Sequence, residues 1–89
     1  MQYKVLFSDI CRKELVSASK PLRERALKMV EKITVDPLRF KRLHHYPRIF
    51  TVRIENLRLV YEVEKDMLIF LRFGNRDKVY KQLQKGYSK

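Results

Sequence analysis

The first half of the chain shows one short apolar run followed by apolar residues at helical spacing. Gln2–Phe7 is rich in aromatic and aliphatic residues, which predicts a strand. Ser8 then stands where a residue can cap the start of a helix. Spacings of four, four and three place the following apolar residues on one helical face, namely Phe7, Cys11, Leu15 and Ala18.

A second helix is predicted directly after the first. Ser19–Lys20–Pro21 interrupts the pattern, and Pro21 suits the first turn of a new helix. The apolar stripe of this helix consists of Leu22, Ala26, Met29, Val30 and Ile33. Asp36–Pro37 ends it, because the residue before a proline is disfavoured in helical conformation. The two helices are therefore expected to form a hairpin that covers a sheet.

The second half changes to a period of two, which is typical of strands. Phe50, Val52 and Ile54 alternate with polar residues and predict a strand with one solvated face. A second strand is predicted around Leu59–Val63, and a third, more continuously apolar one over Met67–Phe73, which Gly74 is expected to break. Glu55–Asn56 and Lys65–Asp66 lie at the expected hairpin turns.

This order of elements predicts a single domain over residues 1–89. The expected fold class is α+β, with two layers: an N-terminal strand, a two-helix hairpin and then a three-stranded antiparallel meander. The chain has too short an apolar opening for a signal peptide and no apolar stretch that would span a bilayer. Its only cysteine, Cys11, cannot form an internal disulfide, which favours the cytoplasm.

Charge narrows the choice of partner. Lysine and arginine number 21 against 10 acidic residues, a net charge of +11, which suits a polyanion such as RNA, DNA, an acidic protein or an anionic membrane surface. The alternative is an ordinary solvated ionic surface. The positive charge is concentrated in residues 37–54 and from residue 71 onward, and this concentration favours a binding face.

Several kinds of chemistry are excluded by the residues themselves. Two glycines cannot build a phosphate-binding loop, and His44–His45 with one distant cysteine is not a zinc pattern. We therefore expect no metal and no cofactor. Cys11 falls on the apolar face of its helix and is expected in the core.

Arginines at the polar positions of the predicted strands are the remaining candidates. If the strands of Arg53 and Arg58 form a hairpin, both guanidinium groups can converge on one face, with Arg76 and Tyr80 following the last strand. Converging arginines bind phosphate and stabilise negative charge that develops on phosphorus. Ordinary pairing of Arg58 with Glu62 or Glu64 would explain the same pattern. Arg12 and Arg25, on the helical hairpin, lie outside the proposed face.

A family resemblance favours the first explanation. The stretch RIFTVRIENLRLVYEVEKDMLIFLRFGNRDKVYK closely resembles the C-terminal half of the RelE/ParE toxin superfamily. Its hallmarks are a basic strand, an R-L-V-Y-E-V strand, and a final strand that leads into G-N-R and K-V-Y. The earlier KPLRERALKMVEKI and DPLRFKRL resemble the helical hairpin of the family and the segment after it, so the similarity covers nearly the whole chain.

The resemblance implies a toxin of a type II toxin–antitoxin system that enters the ribosome and cuts mRNA there, with the 2′-hydroxyl of the RNA as nucleophile. By the same resemblance, Arg58, Arg76 and Tyr80 match positions that bind or cleave RNA, and Arg53 matches a basic one. Further RNA contacts are expected from Lys41, Arg42, Lys78 and Lys81. The implied partners are an acidic, RelB-like antitoxin, the ribosome and mRNA.

One position departs from the pattern of the family. Thr51 stands where the best-known members carry a lysine, so a proton acceptor or charge stabiliser is missing. The candidates to replace it are Lys41, His44, His45 and Lys78. The alternative functions are a gyrase poison of the ParE type, another non-nucleolytic toxin, and a basic nucleic-acid-binding domain without catalysis.

Overall fold

The computed structural model describes residues 3–43 and 45–75. Seven elements follow one another in the order strand, helix, helix and four strands. Their bounds are β1 Lys4–Phe7, α1 Asp9–Ser17, α2 Lys20–Val35, β2 Lys41–Arg42, β3 Ile49–Ile54, β4 Leu57–Glu64 and β5 Met67–Asn75. The fold is therefore α+β, as the sequence predicts.

The strands of the described residues form one mixed sheet with the order β1-β5-β4-β3-β2. The predicted meander is its centre, because β3, β4 and β5 pair antiparallel. Two edges extend it: β1 pairs parallel with β5, and the two-residue β2 pairs antiparallel with β3. The predicted N-terminal strand and three-stranded meander are therefore present, within a mixed sheet that also contains β2, which the sequence analysis does not predict. Because β2 has only two residues, it is too short to show the alternation of apolar and polar residues by which a strand is recognised.

The helix boundaries are confirmed, and side chains explain them. The Ser8 hydroxyl accepts from the N–H of Cys11 at 3.0 Å and donates to the carbonyl of Leu71 at 2.7 Å, which ties the start of α1 to β5. Ser19 caps α2, whose first turn contains Pro21. Within the described part of the chain, no helix is long and apolar enough to cross a membrane.

The main core lies between the helices and one face of the sheet. α1 packs on β5 and α2 on β3, so that the predicted helical stripes bury Cys11, Leu15, Ala26, Val30 and Ile33. Tyr61 anchors the centre of the sheet: its ring packs between Phe50 and Phe70, and its hydroxyl donates to the Pro37 carbonyl at 2.6 Å. Burial raises the pKa of Tyr61. This tyrosine is therefore structural and remains protonated.

The prediction that Gly74 breaks the last strand is wrong. β5 continues to Asn75, and Gly74 lies opposite Arg58 of β4. A strand tolerates glycine where its partner supplies the backbone hydrogen bonds. The irregularity lies earlier, where Tyr61 pairs with Phe70 but Val60 pairs with Arg72, so Leu71 is an extra residue in β5. Such a bulge bends the strand and redirects the side chains beyond it.

Candidate functional site

The face of the sheet opposite the helices is called here the open face. The core residues Val52, Leu59 and Tyr61 point to the helices, so alternation places their neighbours in β3 and β4 on the open face. Cross-strand register aligns these side chains in two rows. One row contains Lys41, Thr51 and Val60, and the next contains Arg53, Arg58 and Gly74.

Arg53 and Arg58 are direct partners across the β3–β4 hairpin. The turn between them is the predicted one, and its first residue, Glu55, has a φ of 57°. The Nε of Arg53 donates to the carbonyl of Glu55 at 2.8 Å, which turns this guanidinium toward the hairpin end. The two arginines therefore leave the backbone side by side, and Arg53 extends along the edge of β3.

The side chain of Arg58 has no ion-pair partner among the described residues. No hydrogen bond or ion pair joins its side chain to a residue within 3–43 or 45–75. Glu64 pairs with Arg48 at 3.3 Å. Glu62 lies four residues along the same strand, a separation of about 13 Å at the rise of a strand. The ordinary pairing that would explain Arg58 without a function is therefore not formed in this part of the chain.

The basic residues of β2 divide between the two faces. Lys41 lies opposite Thr51 and shares the open face with Arg58. Arg42 lies opposite Phe50, with its guanidinium carbon 5.2 Å from the centre of that ring, on the side of the helices. Because the strand alternates, only Lys41 of this pair belongs to the open face.

Thr51 shows that the open face is not fully solvated, in contrast to the prediction for its strand. Only 7% of the residue is exposed, and its Oγ1 has no hydrogen-bond partner among the described residues. Leu43 and Tyr46, from the segment before β3, pack with Ile49, Val60 and Leu71 in a second, small apolar cluster. The alternation predicts which side chains face away from the helices, but not that this segment covers some of them.

We expect Thr51→Val to leave the free energy of unfolding unchanged or to raise it by about 1 kcal/mol, because a buried hydroxyl without a partner costs about that much. Urea unfolding measures the change. Thr34→Val is the matched control, since the Thr34 hydroxyl donates to the carbonyl of Val30 at 2.8 Å. That variant loses a real hydrogen bond and is expected to be destabilised. A larger loss for Thr51→Val than for Thr34→Val would contradict the expectation.

The segment before β3 also carries a strained histidine. His45 has a φ of 71°, a left-handed conformation that is uncommon outside glycine. With Arg42, Leu43, Tyr46 and Pro47 it lines a shallow pocket of about 430 Å³. Of the four candidates to replace the missing lysine, Lys41 lies beside Thr51 and His45 lies in this segment.

Several predicted site residues lie outside the described residues. They are Arg76, Tyr80, Lys78, Lys81 and His44. Their assignments stay predictions, as does the closure of the site after the last strand.

Two buried polar or ionisable residues are structural, and the expectation that Cys11 lies in the core is confirmed. Cys11 is fully buried, and burial together with Glu14 raises the pKa of its thiol to about 12, so it is a poor nucleophile at neutral pH. Arg72 is 8% exposed and donates to Glu14, with Nη2 at 2.7 Å from one carboxylate oxygen. The other oxygen of Glu14 accepts from the backbone N–H of Phe73 at 2.7 Å. This pair joins α1 to β5.

Arg25 lies closer to the candidate site than the sequence predicts. It forms an ion pair with Glu55 of the β3–β4 turn. It also lines a groove with Arg53, between α2 and the edge of β3. The sequence places Arg25 on the helical hairpin, but it does not show that this part of α2 packs beside the hairpin turn.

The arrangement suits phosphate chemistry. Arg58 offers a guanidinium without an ion-pair partner among the described residues, in a row with Arg53 and on the same face as Lys41. A planar guanidinium donates two parallel hydrogen bonds to a phosphate, and it keeps its proton at every physiological pH. These side chains therefore bind and stabilise negative charge, while proton transfer falls to another group.

Comparisons with known proteins agree on the fold. No protein-family model and no curated protein sequence matches this chain. Among solved structures, a mutant of the Escherichia coli toxin RelE in the free state matches with a TM-score of 0.84 and 22% identity over 96% of this chain and 97% of that one. The RelE–RelB complex of Pyrococcus horikoshii matches with a TM-score of 0.71 and 21% identity, over 85% and 97% of the two chains.

An archaeal antitoxin–toxin complex, RelB–RelE of Methanococcus jannaschii, matches with a TM-score of 0.69 and 25% identity, over 85% of this chain and 95% of that one. The similarity spans nearly the full length of each of these proteins. It confirms, at the level of the fold, the resemblance that the sequence motifs indicate. The chain has the fold of the RelE toxins.

Proposed function

We propose that this chain is the toxin of a type II toxin–antitoxin system and that it inhibits translation by cutting mRNA on the ribosome. The observation that carries the proposal is Arg58, an arginine of a RelE-like sheet that has no ion pair to any described residue. The resemblance of the sequence motifs implies that its position binds or cleaves RNA. The net charge of +11 supports a polyanionic substrate. Because the ribosome is the site of action, the protein acts in the cytoplasm.

In the proposed reaction, the 2′-oxygen of the RNA forms a bond to the adjacent phosphorus and the bond from phosphorus to the 5′-oxygen breaks. The 2′-hydroxyl loses its proton, and the leaving 5′-oxygen gains one. Arg58 and Arg76 stabilise the charge on the phosphorane, Tyr80 contacts the RNA, and Arg53 and Lys41 hold the strand. No step needs a metal or a cofactor. The ribosome helps to position the nucleotide, which compensates in part for Thr51.

The test is cleavage of a defined mRNA with purified ribosomes, read by primer extension. We expect cuts in the ribosomal A site and no efficient cleavage of the same RNA without ribosomes. Efficient, metal-dependent cleavage of naked RNA would refute this mechanism.

The proposed partner is an acidic antitoxin of the RelB type. Several structures with this fold are complexes of RelE with RelB, including the intact toxin–antitoxin complex of E. coli. A strongly basic surface suits an acidic segment that folds on contact. Co-expression with the neighbouring genes is expected to yield a stable complex, and failure to find one would remove support for the toxin–antitoxin assignment.

A non-nucleolytic toxin is the second candidate, and Thr51 is the observation that favours it. The position carries no charged group, and its hydroxyl is buried. Under this alternative, the protein inhibits growth and binds its target but leaves mRNA on the ribosome intact.

A further inference from the structure

A groove between α2 and the edge of β3 carries positive charge that the open face does not explain. Its volume is about 320 Å³, and its lining residues are Arg25, Lys28, Met29, Lys32, Arg53, Ile54 and Glu55. Four of these side chains are cationic. Only Glu55 is acidic, and it already forms an ion pair with Arg25. The groove therefore keeps a strong positive excess.

The helical part of this groove is a regular stripe. Arg25, Lys28 and Lys32 follow one another at spacings of three and four, which align them on one side of α2. Neither lysine forms an ion pair with a residue of the described ranges. The acidic residues of α2, Glu24 and Glu31, each lie about one helical turn from Lys28, but neither lines the groove.

Arg53 connects this stripe to the open face. By register it is the partner of Arg58, yet its guanidinium lies at the hairpin end and lines the groove. β2 pairs only with Phe50 and Thr51, so among the described strands none covers the outer edge of β3 from Val52 onward. Arg53 therefore connects Arg58 of the open face with the groove that Lys28 and Lys32 line.

From this geometry we propose that the groove binds the phosphodiester backbone of RNA, as a second contact that continues the strand held by Arg58. The proposal rests on the proposed function in taking RNA as the polyanion. An acidic peptide is the weaker candidate, because a peptide that folds on binding needs apolar anchors. The apolar lining of the groove consists of Met29 and the buried Ile54, and the exposed apolar side chains of this region, Leu27, Val35 and Leu38, are not among the groove residues.

The test measures binding of a fluorescent single-stranded RNA of mixed sequence to the full chain, without ribosomes and over a range of salt concentrations. Each phosphate contact to a single strand contributes about 0.7 to the slope of log affinity against log salt. The double substitution Lys28→Ala with Lys32→Ala is therefore expected to reduce that slope by about 1.4. At about 0.1 M salt it should weaken binding roughly tenfold or more.

Lys13→Ala with Lys20→Ala is the matched control, because it removes two exposed lysines of the helices that do not line the groove. Equal losses for the two double variants, or no binding of RNA by the unmodified protein, would overturn the proposal. It would also be overturned if the groove variant lost affinity for a polyglutamate peptide but kept its affinity for RNA. Since no cleavage is measured, a failure of the ribosome-dependent reaction leaves this result unaffected.

Discussion

Arg58→Ala should lower the rate of ribosome-dependent mRNA cleavage by a factor on the order of 10²–10³, the cost of losing one preorganised contact to a charged transition state. Growth inhibition should be lost with it, while binding to the ribosome stays nearly unchanged. Binding to the ribosome depends on the total charge, to which Arg58 contributes one of 21 basic residues. Cleavage depends on the position of its guanidinium, which the register of β3 and β4 fixes. Single-turnover cleavage and ribosome co-sedimentation measure the two quantities separately.

Arg12→Ala is the control for this substitution. Arg12 has the same charge, lies on α1, and has an exposed side chain whose hydrogen bond, at 3.4 Å, goes to the carbonyl of Phe7. Arg25 is unsuitable because of its place in the groove beside Arg53. Arg76→Ala is expected to behave like Arg58→Ala. Equal losses for Arg58→Ala and Arg12→Ala, with both variants folded, would show that the active face is assigned wrongly.

Glu14→Ala should lower the free energy of unfolding by roughly 3 kcal/mol, because it removes the carboxylate that pairs with the largely buried side chain of Arg72. The side chain of Arg72 is only 10% exposed, and the backbone N–H of Phe73 would lose its acceptor in the same step. A domain of this size has roughly 5–15 kcal/mol of stability, so the change is a large part of the total. Chemical denaturation followed by circular dichroism measures it.

Glu31→Ala provides the comparison, since Glu31 is exposed on α2 and its loss is expected to change stability by less than about 0.5 kcal/mol. If Glu14→Ala does not fold, Glu14→Gln keeps an acceptor for Phe73 and should give a smaller, measurable loss. Similar stabilities for Glu14→Ala and Glu31→Ala would mean that the buried pair does not hold α1 against β5.

The elements were predictable from the sequence where one physical signal dominates. Ser8, Ser19 and Pro21 mark helix starts by local hydrogen bonding and fixed backbone geometry, so their effect does not depend on the rest of the chain. The strands around the two hairpin turns are visible because the period of two extends over several residues. The partner of β1 was not predictable, because parallel pairing with β5 leaves no local pattern.

The candidate site was predictable only in part. Alternation assigns Arg53 and Arg58 to one face, and the hairpin register makes them neighbours. Alternation does not show that Thr51 is buried, nor that Leu43 and Tyr46, from a segment without strand periodicity, pack against Ile49 and Val60. The Glu14–Arg72 pair and the position of Arg25 depend on how the helices lie on the sheet, and no short stretch of sequence encodes that contact.

The pairing of β1 with β5 also has a consequence for biosynthesis. β1 finds its hydrogen-bonding partner only in β5, the last described strand. The Ser8 hydroxyl likewise donates to a carbonyl 63 positions further along the chain. Contacts between residues so far apart in sequence form late in folding, because closing a long loop costs conformational entropy. α1 and α2 cannot bury their apolar faces on a finished sheet until β5 has left the ribosome. A nascent chain therefore cannot complete this sheet before β5 has been synthesised.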